Sequence, residues 1–234
     1  MSAIFKREFI SYFTSPVAYV VLAAVMFFSG IFVWVQCLYV GTSDMSSVFQ
    51  SMFFIMLFVI PLITMRLFSE DKKQKTDQAL LTAPVSIAGI VSAKFLSALL
   101  MLLLCLCSFI VDGVALSFIG YPDWSVIIGN VFGMVLMGAS LAAVGIFVSS
   151  LTESVIVAAI VSFAVNVLIS LLDTVASTMP VAFLKNFVSS LSFQTRYGHF
   201  ALGLFPLSDI IYFASVCLVF LFLTDRVLER RRWA

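Results

Sequence analysis

The residues able to do chemistry are few, and their spacing decides what they can do. Ser140, within "GAS", and His199, the single histidine, are the residue types of a serine hydrolase. The residue after Ser140 is leucine where the glycine of a G-x-S-G motif is wanted, and His199 lies in a different stretch, ahead of the last apolar run. No nucleophile and base are implied, and His199 reads as a polar residue at an interface. Cys37, Cys105, Cys107 and Cys217 all fall in apolar runs, and Cys105 and Cys107 point to different sides of a helix. They read as small core residues, since metal binding needs several converging ligands and one histidine supplies too few.

The elements that would carry these residues follow from composition. Of 234 residues, 62% are hydrophobic, 15% aromatic and 11% charged. Such a chain would show water more apolar surface than a soluble fold can hide, so it belongs in a bilayer. The net charge of +1 comes with no basic patch, which argues against nucleic acid as a partner. Six apolar runs, about 17–39, 47–65, 94–119, 126–150, 154–175 and 208–225, are each long enough to cross about 30 Å of hydrocarbon as helix. Ahead of them, "MSAIFKREFISYFTS" sets Phe5, Phe9, Tyr12 and Phe13 at helical spacing with Lys6 and Arg7 elsewhere, the pattern of a helix lying in the interface plane. It has no apolar run ending in a small-residue cleavage site and is expected to stay on the protein. Pro16 suits the first turn of the next helix. Eleven of the thirteen Lys and Arg residues fall on one side of these spans, with Lys185 and Arg196 on the other, so both termini are expected in the cytoplasm. One domain, 1–234, is expected, and the apolar but interrupted stretch 176–207 should lie in the interface or re-enter the outer leaflet.

Depth sorts the polar residues inside the spans. Asp112 sits about 27 Å along span 3 from Lys94, and Asp173 about 29 Å along span 5 from Glu153, so both read as carboxylates near the outer headgroups. Asn166, about 20 Å along span 5, is deeper, and needs a partner across a helix contact or on a wet pathway. The contact is the favoured reading. Gly129, Gly133, Gly138, Ala142, Gly145 and Ser149 make a small-residue stripe on span 4 where another backbone can approach. The turn "SSLTES" to span 5 is short, and Thr152 or Ser154 can cap the next helix.

The segment "EDKKQKTD", Glu70 to Asp77, holds six charges in eight residues. Alone it would be a solvated loop obeying the positive-inside bias. It is followed, however, by "QALLTAPVS", in which Thr76 or Asp77 can cap a short helix that Pro84 ends, and Ser86 can cap the helix entering span 3. That helix would display Leu80 and Leu81 with no soluble domain of its own to bury them, which points to docking of a soluble partner. On this reading the charges, Lys72 and Lys73 included, are exposed.

In "FKREFISYFTSPVAYVV", "MRLFSEDKKQKTDQALLTAPVSIAGIVSAKF", "GIFVSSLTES" and "DRVLERRRW", in this order around six spans, the chain resembles the permease subunits of ABC-2 type exporters, in particular the gliding-motility-associated ABC permeases. The resemblance implies an all-α inner (plasma) membrane protein with six transmembrane helices. To these it adds an N-terminal interfacial helix (Phe5, Lys6, Arg7, Phe9), a cytoplasmic coupling helix between spans 2 and 3, and short membrane-dipping helices before span 6. It places contacts with a cytosolic ATPase at Glu70, Thr76, Asp77, Gln78, Leu80 and Leu81, and a second set at Ser150, Thr152 and Glu153. The family commonly has glycine before the threonine and glutamate two after it, where this chain has Lys75 and Gln78. It further implies a second permease subunit, identical or paralogous, and surrounding membrane lipid. ATP and Mg would be on the partner, since G-x-x-x-x-G-K-[ST] does not occur in this sequence and no cofactor or catalytic residue is expected here. A secondary transporter, or another polytopic protein without an ATPase, is the alternative, to be marked by broken helices and midplane ion ligands.

Overall fold

The computed structural model describes residues 2–76, 86–178 and 190–232, and within these every regular element is helical. Helix α1 (Ser2–Thr14) leads through Ser15 into α2 (Pro16–Val33), with Pro16 in the first turn, where its missing N–H costs nothing. A π-helical turn, Trp34–Leu38, lengthens α2. Then come α3 (Ser46–Thr64), α4 (Arg66–Lys73), α5 (Ile87–Ser117), α6 (Trp124–Leu151), α7 (Val155–Thr178), α8 (Phe193–Ala201) and α9 (Leu207–Arg232). Six helical stretches among the described residues are long and apolar enough to cross a membrane: Pro16–Leu38, Ser46–Lys73, Ile87–Ser117, Trp124–Leu151, Val155–Leu172 and Leu207–Arg232.

Helix α6 is the axis of the bundle, packed by α3, α5, α7, α8 and α9. Its small residues make that possible, and they face different neighbours. A methyl group on Gly133 would sit 2.6 Å from Phe200 of α8, one on Gly138 would sit 2.5 Å from Leu102 of α5, and one on Gly145 would strike the Thr64 side chain of α3. The stripe therefore admits three elements instead of one backbone. Polar residues of α6 bond outward: Ser140 donates to the Phe213 carbonyl of α9 (2.8 Å), and Asn130 accepts from the Tyr197 hydroxyl of α8 (3.0 Å). Ser140 is thus a packing hydroxyl. The outward faces of α2, α7 and α9 carry large exposed apolar side chains, among them Phe27, Ile156 and Leu218, as lipid-facing surfaces do.

Candidate functional site

The charged residues of α1, α4 and the start of α5 converge at one end of the bundle. Lys94 is fully buried there. Its Nζ donates to Asp71 Oδ2 (2.6 Å), Glu8 Oε1 (3.0 Å) and the Leu67 carbonyl, and lies 5.0 Å from the centre of the Phe68 ring. All three ammonium donors are used. Arg7 joins the cluster, 2.7 Å from Glu8 Oε1 and 3.8 Å from Asp71 Oδ2, so two cations face two carboxylates. The hydrogen bond to Glu8, opposed by partial burial, holds the Arg7 guanidinium above its ordinary pKa. One lysine thereby ties together helices that begin more than eighty residues apart in sequence.

Around this centre α4 is fastened at both ends. Met65 offers its first turn no side-chain cap. Ser149 of α6 supplies one instead: its Oγ accepts from the N–H groups of Phe68 (3.2 Å) and Ser69 (3.1 Å) and donates to the Met65 carbonyl (3.0 Å). At the other end Lys72, 6% exposed, donates to the Ser150 carbonyl in the last turn of α6, one of the acceptors a helix leaves open at its C-terminus. Arg66 holds Glu70 through two bonds (2.7 and 2.9 Å) and donates to Ser15 Oγ (2.7 Å) at the joint between α1 and α2. Tyr12 donates to the Ile63 carbonyl (2.8 Å), and burial pushes its pKa up, which keeps the proton on the phenol.

This arrangement corrects the reading of the charge run. Glu70 to Lys73 finish a helix continuous with span 2, Lys72 is buried and Asp71 is bound to Lys94; only Lys73, Gln74 and Lys75 are exposed. Thr76 donates to Asp71 Oδ1 (3.0 Å), and Ser86 caps α5 by accepting from Gly89 N–H (3.3 Å). Asp77, Gln78, Leu80 and Leu81, with the short helix expected around them, lie outside the described residues. At the α6–α7 turn Thr152 Oγ1 accepts from Ser154 N–H (3.2 Å) and Glu153 is exposed. In α1, Phe5 stacks on Phe9 at 6.2 Å and Lys6 is exposed. Glu8, Arg66, Asp71, Lys94 and Ser149 were not singled out from sequence as partners. The legible signal was Lys94, a lone cation in "SIAGIVSAKFLSALL", with apolar residues already at helical spacing ahead of it.

A second charged cluster closes the opposite end. Asp209, 2% exposed at the start of α9, accepts from Arg196 (2.6 Å) and pairs with His199 Nδ1 (2.6 Å), both on α8. Arg196 also donates to the Ser190 carbonyl (2.8 Å) and stacks 4.1 Å from the Tyr212 ring centre. His199 is therefore one partner of a buried carboxylate, more than an isolated interfacial residue. Ser192 caps α8 by accepting from Thr195 N–H (3.3 Å).

The candidate pathway residues stand apart. Asn166 is fully buried, yet neither atom of its amide has a hydrogen-bond partner among the described residues, and Ser162 one turn away is in the same state. The bond across a helix contact expected of Asn166 is not seen among the described residues. Asp112 has one unpartnered carboxylate oxygen, and the Asp173 side chain lies outside the described residues. Among the described residues no group of three His, Cys, Asp or Glu could hold a metal.

Six apolar helices, one of them the glycine-rich α6 on which most of the others pack, define a multi-pass membrane protein, and no metal-type cluster occurs among its described residues. The chain belongs to the ABC-2 family transporter proteins, whose family profile matches residues 5–177, about three quarters of its length. It is a membrane permease component of an ABC transporter. No curated protein sequence matches it.

Proposed function

We propose that the chain is the transmembrane subunit of an ATP-driven exporter, working as a dimer with an identical or paralogous permease and driven by a separate cytosolic ATPase that carries ATP and Mg. The observation that carries this reading is the fastening of α4. Through Lys94, Ser149 and Lys72 it is joined to α1, α5 and the end of α6, so force applied to the segment after α4 is delivered to four helices together. Of the residues taken as ATPase contacts, Glu70 and Thr76 on one side and Ser150, Thr152 and Glu153 on the other then belong to one mechanical unit, from which Asp77, Gln78, Leu80 and Leu81 follow in sequence. The charged end faces the cytoplasm of the inner (plasma) membrane on the eleven-to-two division of basic residues. Helix α1 lies in the interface on that side, and α8 dips into the far leaflet. Within the family, the order of these segments resembles that of the gliding-motility-associated permeases, which by itself is no reason to propose motility.

Co-purification from native membranes tests the reading: a protein carrying G-x-x-x-x-G-K-[ST] is expected to come with the chain, in a complex holding two permease subunits. Leu80→Asp with Leu81→Asp should release it without affecting membrane insertion. Recovery of a lone monomer from mild detergent would defeat the proposal, as would normal association of the double variant.

A further inference from the structure

Beside the Lys94 cluster, on the outward side of α5, an open groove of about 480 Å³ runs between α1 and α5. It is lined by Phe5, Ser92, Leu96, Leu99, Leu100 and Leu103. The α5 members recur at helical spacing, so they form one face, turned away from the fully buried Lys94. We propose that this groove is a binding site for one phospholipid, with an acyl chain along α5 and an anionic headgroup at Lys6.

Three observations select that occupant. From Ser92 to Leu103 the α5 backbone rises about 16 Å, close to half of the roughly 30 Å hydrocarbon core, so the groove spans a single leaflet. A cargo path would have to continue into the other leaflet, and a helix of a second copy would cover more of α5. The walls are apolar apart from Ser92 at one end. Lys6, adjacent in sequence to the wall residue Phe5, is exposed and makes no ion pair among the described residues, while Arg7 is held by Glu8. An exposed cation one residue from the wall of an apolar slot one leaflet deep complements a phosphate followed by an acyl chain. The bound lipid would brace α1 against α5 next to the Glu8–Lys94 pair, making the cluster sensitive to lipid composition.

The test uses the purified full chain in phosphatidylcholine vesicles containing trace phosphatidylglycerol with a photoreactive group in its acyl chain. Labelling is expected to saturate at one lipid per chain, to map to α1 and residues 92–103, and to be displaced by unlabelled phosphatidylglycerol. Leu96→Trp with Leu100→Trp should reduce it at least tenfold, whereas Phe27→Trp, on the outward face of α2, should not. Lys6→Gln should cost about fivefold in preference for the anionic lipid over phosphatidylcholine. Unsaturable labelling spread over the outward faces of α2, α7 and α9 would overturn the proposal, leaving bulk lipid only. So would displacement by a co-purified cargo, or loss of labelling when two copies associate. Should the double variant fail to fold, saturation and competition on the unmodified chain decide alone.

Discussion

The two ends of the bundle solve one electrostatic problem with opposite signs. At one end a buried cation, Lys94, is surrounded by the carboxylates of Glu8 and Asp71; at the other a buried carboxylate, Asp209, is surrounded by Arg196 and His199. The difference lies in reach. Asp209 is bound to residues 10 and 13 positions earlier, in the preceding helix, so its cluster closes a local hairpin of α8 on α9. Lys94 is bound across 86 and 23 positions to α1 and α4, so its cluster sets the relation of distant helices. A local clamp shapes one corner, whereas a long-range one links the region that would receive force to the spans that would move. The long-range cluster lies wholly within the part of the chain matched by the ABC-2 family, and the local clamp wholly outside it.

Breaking the comparison at its stronger side should give the largest effect. Lys94→Met leaves Glu8 and Asp71 sharing only the half-exposed Arg7 in a partly desolvated space, and removing one partner of a buried ion pair costs about 3–5 kcal/mol. Loss of folded protein, or a large drop in the unfolding temperature in detergent, is expected. Adding Glu8→Gln and Asp71→Asn should recover a good part of the loss, because the stranded charges then go too. A purely steric defect would leave the triple variant as unstable as the single one.

Asp209→Asn should cost less, about 2 kcal/mol. The reason is solvation: the His199 side chain is 46% exposed and that of Arg196 20%, so water can replace what the carboxylate supplied. The effect should be confined to α8 and α9, visible as faster amide exchange there and unchanged exchange in α4. Equal or greater damage than Lys94→Met, or exchange spreading to α4, would reverse the ranking of the two clusters.

Neighbouring lysines sharpen the long-range side further. Lys72→Met removes the bond to the Ser150 carbonyl and should cost about 1 kcal/mol, while Lys73→Gln, at an exposed position, should stay within about 0.5 kcal/mol. Similar values for the two, measured by denaturant titration, would mean that the α4–α6 tie does not hold in solution.

What could be read from sequence was the hydrophobic part. Spans 2 and 4, expected at 47–65 and 126–150, lie within Ser46–Thr64 and Trp124–Leu151 give or take a residue or two, because runs of apolar residues need no knowledge of partners. Span 3 was expected from Lys94, entered by a helix capped at Ser86, and the helix does begin at Ile87 behind that cap; the burial of Lys94 was not legible, since a lysine reads as a membrane boundary unless carboxylates arrive from elsewhere to satisfy it. The same blindness turned Asp71 and Lys72 into solvated charges. Hydropathy also ended span 6 near 225, whereas α9 runs on to Arg232, because a helix does not stop where the membrane does. Asp209, at the edge of an apolar run, gave no sign that Arg196 and His199 would fold back on it. Burial of polar groups is settled by tertiary pairing, which a single sequence does not display.

The smallest effect concerns Lys75, where sequence and backbone disagree. Its φ is 57°, in the left-handed region, directly after the C-cap Gln74 of α4, with its N–H donated back to the Lys72 carbonyl (3.0 Å). This is the position at which helices commonly end on glycine, and glycine is also what the related permeases commonly carry before the threonine. The backbone there takes a conformation that favours glycine under a residue with a Cβ, at a cost of about 1–2 kcal/mol. Lys75→Gly should recover about 0.5–1 kcal/mol, the rest being offset by the greater freedom of glycine in the unfolded chain. Lys75→Ala is the control, since it removes the charge and keeps the Cβ. If alanine stabilises as much as glycine in the same denaturant titration, the benefit comes from relieving repulsion among the lysines, and the end of α4 carries no backbone strain.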